Sequence, residues 1–218
     1  MSQRNNPRGK RSSRDRAVAR VEPLQTFLIV CEGERTEPNY FRAFCVPAEV
    51  QKTIIGEGFN TLSLVRRTVE LAQEQSYNQV WCVFDRDSFP LETFNAALEL
   101  ARQQGFHVAY SNEAFELWYL LHFHFYQTGV TRVQYMSLLS ELLNRSFHRP
   151  YRKNDPNLYA LLLSHQPDAI RNARNLLALY TPLNPGRDNP STTVHHLVEE
   201  LNKYSSEALF DALKAENQ

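Results

Sequence analysis

Cysteine, glycine and any excess of one charge are scarce in this 218-residue chain, and each shortage removes a class of explanation. Its three cysteines, Cys31, Cys45 and Cys82, show no metal-ligand spacing; Cys31 and Cys82 fall inside apolar strand patterns, so buried, reduced thiols are expected. Among seven glycines there is no GxxxxGK motif, so the chain offers no phosphate loop of its own. No apolar run approaches the roughly 18 residues a membrane span needs. The Arg-rich opening is followed by no hydrophobic segment, unlike a secretory signal. A cytoplasmic protein, not associated with a membrane, is the expectation.

Lysine plus arginine and aspartate plus glutamate both number 24, but the balance is uneven. The first 20 residues hold Arg4, Arg8, Lys10, Arg11, Arg14, Arg16 and Arg20 against Asp15 alone. That composition predicts a disordered basic arm over residues 1–22, suited to a phosphate backbone or an acidic partner, or serving only as a solvated tail. The apolar fraction of 42% is that of a globular protein, and the remaining length suits one domain with a smaller helical addition.

Two stretches organise that remainder: FLIVCEGERTEPNY from Phe27 to Tyr40 and WCVFDRDS from Trp81 to Ser88. Each is an apolar run of strand length that stops abruptly at acidic residues. Carboxylates are thereby delivered to strand ends, where open α/β sheets keep their ligands. Several carboxylates converging there repel one another unless a cation lies between them, and all-oxygen donors suit Mg²⁺ or Mn²⁺.

In chain order, Phe27 to Cys31 is the first expected strand, followed by a turn at Gly33 and a helix opened by Thr36 and Asn39, with Pro38 in its first turn. A short extended run, Val50 to Ile55, comes next. Thr61 to Gln75 reads as an amphipathic helix, Val80 to Phe84 as a strand, Leu91 to Gln104 as a helix closed by Gly105, and Phe106 to Tyr110 as a strand. The alternation implies a mostly parallel sheet with helices on both faces. Ser111 and Asn112 are expected to cap an aromatic-rich helix reaching from Phe115 to Phe125. Helices are further expected over Val133 to Leu143, Leu158 to Leu163, Asp168 to Tyr180, Thr192 to Leu201 and Ser206 to Ala215, forming a C-terminal helical cap over residues 129–218 upon an α/β domain of residues 23–128.

Glu32 directly follows the first strand, and Gly33 lets the backbone approach a ligand, making Glu32 a candidate metal ligand or general base. Asp85 and Asp87, either side of Arg86, point to one side of a strand end and are candidate ligands. Arg86 then faces the other way, to a salt bridge or a substrate phosphate. Glu37 either favours its helix N-terminus or holds a second cation. Glu116, between Phe115 and Leu117, is costly to bury without a partner, and reads as a late metal ligand or as half of an ion pair. Arg35, Tyr151, Arg152, Lys153 and His195 are candidate contacts to nucleic acid, with His148 and His196 behind them, and Lys153 stands first because its basic cluster is flanked by prolines. His122 and His124 read as packing residues. The hydroxyls of Asn189 to Thr193 either cap a helix or approach the acidic centre.

IVCEGERTEPNYF from Ile29, VWCVFDRDSF from Val80, SNEAFELWYLLHF from Ser111 and NPSTTVHHLVEEL from Asn189, with Tyr151 to Lys153 and Ala169 to Ala173, together resemble the RloB-like proteins, also called AbiLii-like, of bacterial phage-defence loci. Glu113-Ala114 departs from the family, which more often has Pro and a small or cysteine residue there. The family in turn is similar to the Toprim superfamily of topoisomerases, primases and OLD-type nucleases. The Toprim signature maps onto Glu32 and onto Asp85 with Asp87; together with Glu37, Glu116 and Lys153, singled out from their surroundings, they make the expected catalytic set, with Glu32, Asp85, Asp87 and Glu116 as the expected metal ligands. Toprim likeness further implies Mg²⁺- or Mn²⁺-dependent phosphodiester chemistry on transfer RNA or DNA. Nothing accompanies the sequence that would suit strand passage or primer synthesis, so hydrolysis is the expected reaction. A partner ATPase of the ABC or SMC type encoded nearby is also implied, and a homo-oligomer is left open. The alternatives are a non-catalytic nucleic-acid-binding or regulatory subunit, or an enzyme transferring phosphate on a nucleotide.

Overall fold

A computed structural model describes residues 25–87 and 90–205. The basic arm and the terminal helix expected from Ser206 lie outside the described residues. Strand formers concentrated in short apolar runs give β1 (Gln25–Cys31), β2 (Val50–Gly56), β3 (Gln79–Asp85) and β4 (His107–Asn112). They pair in the order β2-β1-β3-β4, all parallel, and β5 (Ser191–Thr192) adds an antiparallel edge beside β4. Between the strands lie α1 (Thr36–Arg42), α2 (Thr61–Glu74) and α3 (Leu91–Gln103). The fold is mixed α/β.

The two-residue period of the strands divides the core into two layers. Leu28, Val30, Cys82, Phe84 and Tyr110 face α2 and α3, where they meet Leu64, Val65, Leu71, Phe94, Ala97 and Ala101. Phe27, Ile29, Cys31, Trp81, Val83 and Ala109 face the other way, onto α1 and the helices after β4. These are α4 (Glu116–Leu120), α5 (Arg132–Phe147), α6 (Leu158–Leu162), α7 (Gln166–Leu177) and α8 (Val194–Asn202). One continuous apolar cluster runs from Phe27 through Trp118, Tyr135 and Leu176 to Leu201, so helices from either side of residue 128 share a core with the sheet. Each large side chain buried in it contributes about 1.5–3 kcal/mol.

Local chemistry sets the element ends. Asn60 accepts the Ser63 N–H to start α2, and Thr131 with Gln134 forms a capping box that starts α5 at Arg132. Cys31 and Cys82 are buried and Cys45 is exposed, all three as free thiols; burial pushes the Cys82 thiol up to about 12. Among the described residues no helix is long and apolar enough to cross a membrane.

Several elements differ from those the sequence suggests. The helix expected from Phe115 to Phe125 is only Glu116–Leu120: after it the chain tightens into turns, the His122 and Phe123 N–H groups donating to the carbonyls three residues back, and Asn172 Nδ2 of α7 donates to the Leu121 carbonyl at 2.8 Å. Ser111 and Asn112 are not helix caps but the last residues of β4, paired with Thr192 and Ser191. The helix expected from Thr192 therefore begins at Val194. The Thr192 and Thr193 hydroxyls bond the β4 backbone, Thr192 Oγ1 donating to the Tyr110 carbonyl at 3.0 Å and Thr193 Oγ1 accepting the Tyr110 N–H at 3.0 Å.

At the far end of β2, a Cβ on Gly56 would stand 2.7 Å from the carbonyl oxygens of both Gly33 and Glu34. Those are backbone atoms and cannot rotate aside, so Gly56→Ala is expected to destabilise the protein by about 1–3 kcal/mol in urea unfolding; a loss under about 0.5 kcal/mol contradicts the close approach.

His122 is buried, its Nδ1 2.9 Å from the Trp118 carbonyl, and its Nε2 has no hydrogen-bond partner among the described residues. Burial pushes this imidazole down to about 4. The unfolded chain takes up the proton near pH 6.5 and the folded chain only near 4, so the His122 contribution is complete above about pH 6.5 and drains away below it, by up to about 1.4 kcal/mol per pH unit. The stability difference between wild type and His122→Gln should therefore shift in favour of the glutamine variant as pH falls from about 7.5 to 4.5. A difference independent of pH would contradict a neutral imidazole in the core.

Candidate functional site: an acidic cleft at the sheet's carboxyl edge

The chain leaves β1 for β2 on one side and then crosses to β3 on the other, so the space beyond the carboxyl ends of β1 and β3 is the topological switch point of the sheet. A ligand crevice opens at such points because the two loops diverge. Glu32 ends β1 there. Its N–H continues the ladder to the Val83 carbonyl at 2.8 Å, and its own carbonyl accepts the Gly58 N–H at 2.9 Å, so its backbone is held from both flanks. Its Oε2 accepts the Asp85 N–H at 3.0 Å, which sets the carboxylate of one strand end against the backbone of the other.

A cleft of about 390 Å³ follows, lined by Glu32, Glu34, Glu37, Asp85, Asp87 and Glu116, with Arg35, Arg132 and Lys153 as its cations and Gly33, Thr36 and Asn154 completing the wall. Glu37 is admitted by Gly33, where a Cβ would collide with its carboxylate. Its Oε2 is buried with no hydrogen-bond partner among the described residues. Glu116, also buried, accepts the Tyr151 hydroxyl at 2.9 Å through Oε1. The loop carrying Lys153 is fastened to α1: Thr36 Oγ1 donates to Asn154 Oδ1 at 2.7 Å and Asn39 Nδ2 to the Asn154 carbonyl at 3.1 Å. Thr36 and Asn39 thus tie α1 to the cap instead of capping the helix. Asn154 takes a left-handed φ of 67°, which asparagine tolerates better than most residues.

The electrostatics follow from burial and crowding. Burial pushes the Glu32 carboxyl up to about 7, with the charges of Asp87 and Glu37 adding to it and the Asp85 N–H and Arg132 opposing it. Asp85 is raised well above the usual carboxylate range, first by burial and then by Glu37, while Arg132 draws it back. Glu37 is raised by burial and by Glu116, and is drawn back by Lys153 and Arg132. Arg132 Nη2 stands 3.0 Å from Asp85 Oδ2 and 3.7 Å from Asp87 Oδ2, so both aspartates face one way and this guanidinium meets them.

The candidate residues are distributed unequally. Glu32, Glu37, Asp85, Asp87, Glu116, Arg35 and Lys153 line the cleft together. Arg86 does not: its guanidinium donates to the Gly186 carbonyl and lies over the Phe94 ring, on the other side of the strand end. His195 is buried in the cap with burial pushing it down to about 3, so it presents no cationic surface to nucleic acid, which corrects that expectation. Tyr151, half-buried, turns its hydroxyl inward onto Glu116. Arg152 is exposed beside Lys153 and outside the lining. The hydroxyls of Thr192 and Thr193 bond the backbone of β4 and do not line the cleft. Sequence reasoning missed Arg132 and Asn154. The pattern from Thr131 to Gln134 marks the start of α5, yet nothing local connects Arg132 to an aspartate 47 residues earlier.

The donor set suits a hard divalent ion. It is all oxygen, one buried carboxylate oxygen is without a hydrogen-bond partner among the described residues, and burial with mutual repulsion makes a positive charge welcome. As the side chains stand, no three acidic, histidine or cysteine groups form a ligating cluster among the described residues. Arg132 carries the positive charge between Asp85 and Asp87.

Residues 27–201 match the family model described as RloB-like protein. No curated protein and no solved structure matches the chain. The family match runs from β1 to α8 and takes in every strand carboxylate of the cleft as well as Arg132 and Lys153; the chain belongs to the RloB-like protein family.

Proposed function

We propose that this chain is a nuclease, a divalent-metal-dependent phosphodiester hydrolase acting as the effector of a bacterial anti-phage system. The observation that carries the proposal is the meeting of Glu32, Asp85, Asp87, Glu37 and Glu116 in one cleft whose cations are Arg35, Arg132 and Lys153. Acidic groups within and basic groups around them suit a polyanion brought to a metal. Glu32 at the end of β1 and the aspartate pair at the end of β3 also suit a Toprim-like site.

Glu32, Asp85, Asp87 and Glu116 would hold Mg²⁺ or Mn²⁺, which when bound supplies Lewis acidity at a phosphoryl oxygen. The protein's own groups do the rest. Lys153 and the exposed Arg35 take phosphate oxygens and orient the backbone, Tyr151 keeps the Glu116 carboxylate in place, and the unpartnered oxygen of Glu37 is free to accept a proton from water. The cleft has room for a scissile phosphate and its neighbours.

Membership of the family supports a partner ATPase of the ABC or SMC type as the activator, with transfer RNA or DNA as the target. The basic residues 1–22 are suited to either polymer. The pairing of Arg132 with Asp85 and Asp87 favours a second reading, a subunit that binds nucleic acid without cutting it.

The full chain, with and without the neighbouring ATPase, is to be incubated with Mg²⁺ or Mn²⁺ and labelled DNA or total RNA. Cleavage is expected in the wild type and should fall at least about 100-fold in Glu32→Ala and in Asp85→Ala. Lys153→Ala is expected to weaken substrate binding as well. Cleavage that neither acidic substitution alters would exclude this site, and retention of nucleic acid with no cleavage under any condition would favour the binding subunit.

A further inference from the structure

Arg132 is placed where no helix would choose to have it. It is the first residue of α5, and a cation there faces the positive end of the helix dipole, which costs a few tenths of a kcal/mol or more. Nor does α5 need it, because Thr131 and Gln134 close the capping box without its side chain. What the guanidinium gains is the aspartate pair. That contact has the weaker of the two geometries open to arginine: a single nitrogen, Nη2, is shared at 3.0 Å and 3.7 Å, where a carboxylate matched to the fork would take two parallel bonds. Its side chain is 38% exposed while Asp85 is 12% exposed, so the arginine reaches in from the surface and has somewhere to withdraw to. Behind the pair, the buried Glu37 oxygen remains without a hydrogen-bond partner among the described residues, so Arg132 does not satisfy every carboxylate of the cleft.

We infer that Arg132 is a displaceable counter-cation of this cleft, holding Asp85 and Asp87 while no metal is bound and competing with the divalent ion for them. This rests on the metal-dependent reading of the site and assigns it a threshold: the ion must displace a guanidinium to bind. Released, Arg132 stands at the mouth of the cleft with a free fork, the geometry that best suits a phosphate. Arg132 is thus a positioning residue for the aspartates in one state and a phosphate contact in the other.

The test is Mn²⁺ binding to the full chain by calorimetry and by the loss of the free-ion electron paramagnetic resonance signal, in wild type, Arg132→Gln, Arg132→Lys and Asp85→Ala. Arg132→Gln is expected to bind Mn²⁺ about three- to tenfold more tightly than the wild type. Arg132→Lys should lie near the wild type, since a cation is retained, and Asp85→Ala should bind more weakly. At saturating Mn²⁺, Arg132→Gln should bind a labelled single strand less tightly than the wild type. Equal or weaker Mn²⁺ binding by Arg132→Gln, in a wild type that binds and an Asp85→Ala that binds less, overturns the counter-cation and leaves the metal site standing. If neither wild type nor Arg132→Gln binds Mn²⁺, or if Asp85→Ala binds as the wild type does, the metal site itself fails and the inference with it.

Discussion

Carboxylates gathered where little water reaches repel one another and lose hydration together, and the architecture is arranged around tolerating that. Burial makes Glu32, Asp85 and Glu37 reluctant to ionise, Glu37 adds to the shift of both Glu32 and Asp85, and Glu116 adds to that of Glu37. A fold could avoid the cost by spacing the acids apart. Here the parallel sheet does the opposite, ending β1 and β3 side by side, with the Asp85 N–H donated to the Glu32 carboxylate. The residues beneath are correspondingly unyielding. Tyr40, Phe115, Trp118 and Tyr119 meet edge to face with centroids 5.2–6.3 Å apart, and close-packed aromatics of that kind leave little freedom to relax the acids above them.

The helices after β4 complete the site instead of merely covering the sheet. Tyr151 satisfies Glu116, Asn154 is clamped by Thr36 and Asn39, and Arg132 meets Asp85 and Asp87. All three reach the cleft from segments more than 30 residues away in sequence from the groups they touch, so the acidic centre depends on packing of the whole apolar cluster on that face. A substitution deep in α5 or α7 can therefore alter the cleft without touching it.

What was legible in the sequence was local. An apolar run stopped by an acid is visible without a partner, and Glu32, Asp85 and Asp87 stand where such runs predict. Glu116 was legible for a related reason, since a carboxylate set between Phe115 and Trp118 must be explained, and Glu37 because a carboxylate in a first helical turn stands beside the strand end that carries Glu32. The misses are all non-local. β5 is two residues long and exists only because β4 offers an edge. The His195 side chain looks like a basic contact until α8 is packed and buries it. Arg132 is one arginine among many until α5 is set beside β3. The bond from Asn172 to the Leu121 carbonyl just past α4 joins residues about 50 apart and is equally invisible in the sequence.

The ligand types of this chain are also sorted by place, and that sorting bears on which cation the cleft can want. Both thiols within strands, Cys31 and Cys82, are sealed in the sheet and held protonated by burial. The imidazoles of His122 and His195 are enclosed in the helical layer, where burial keeps them neutral but out of reach. None of the four lines the acidic cleft, which offers only oxygen. Zinc and copper draw their advantage over magnesium and manganese from sulfur and nitrogen donors. By withholding those donors the fold discards that advantage, so at the proposed metal site the choice among ions would rest on charge and hydration.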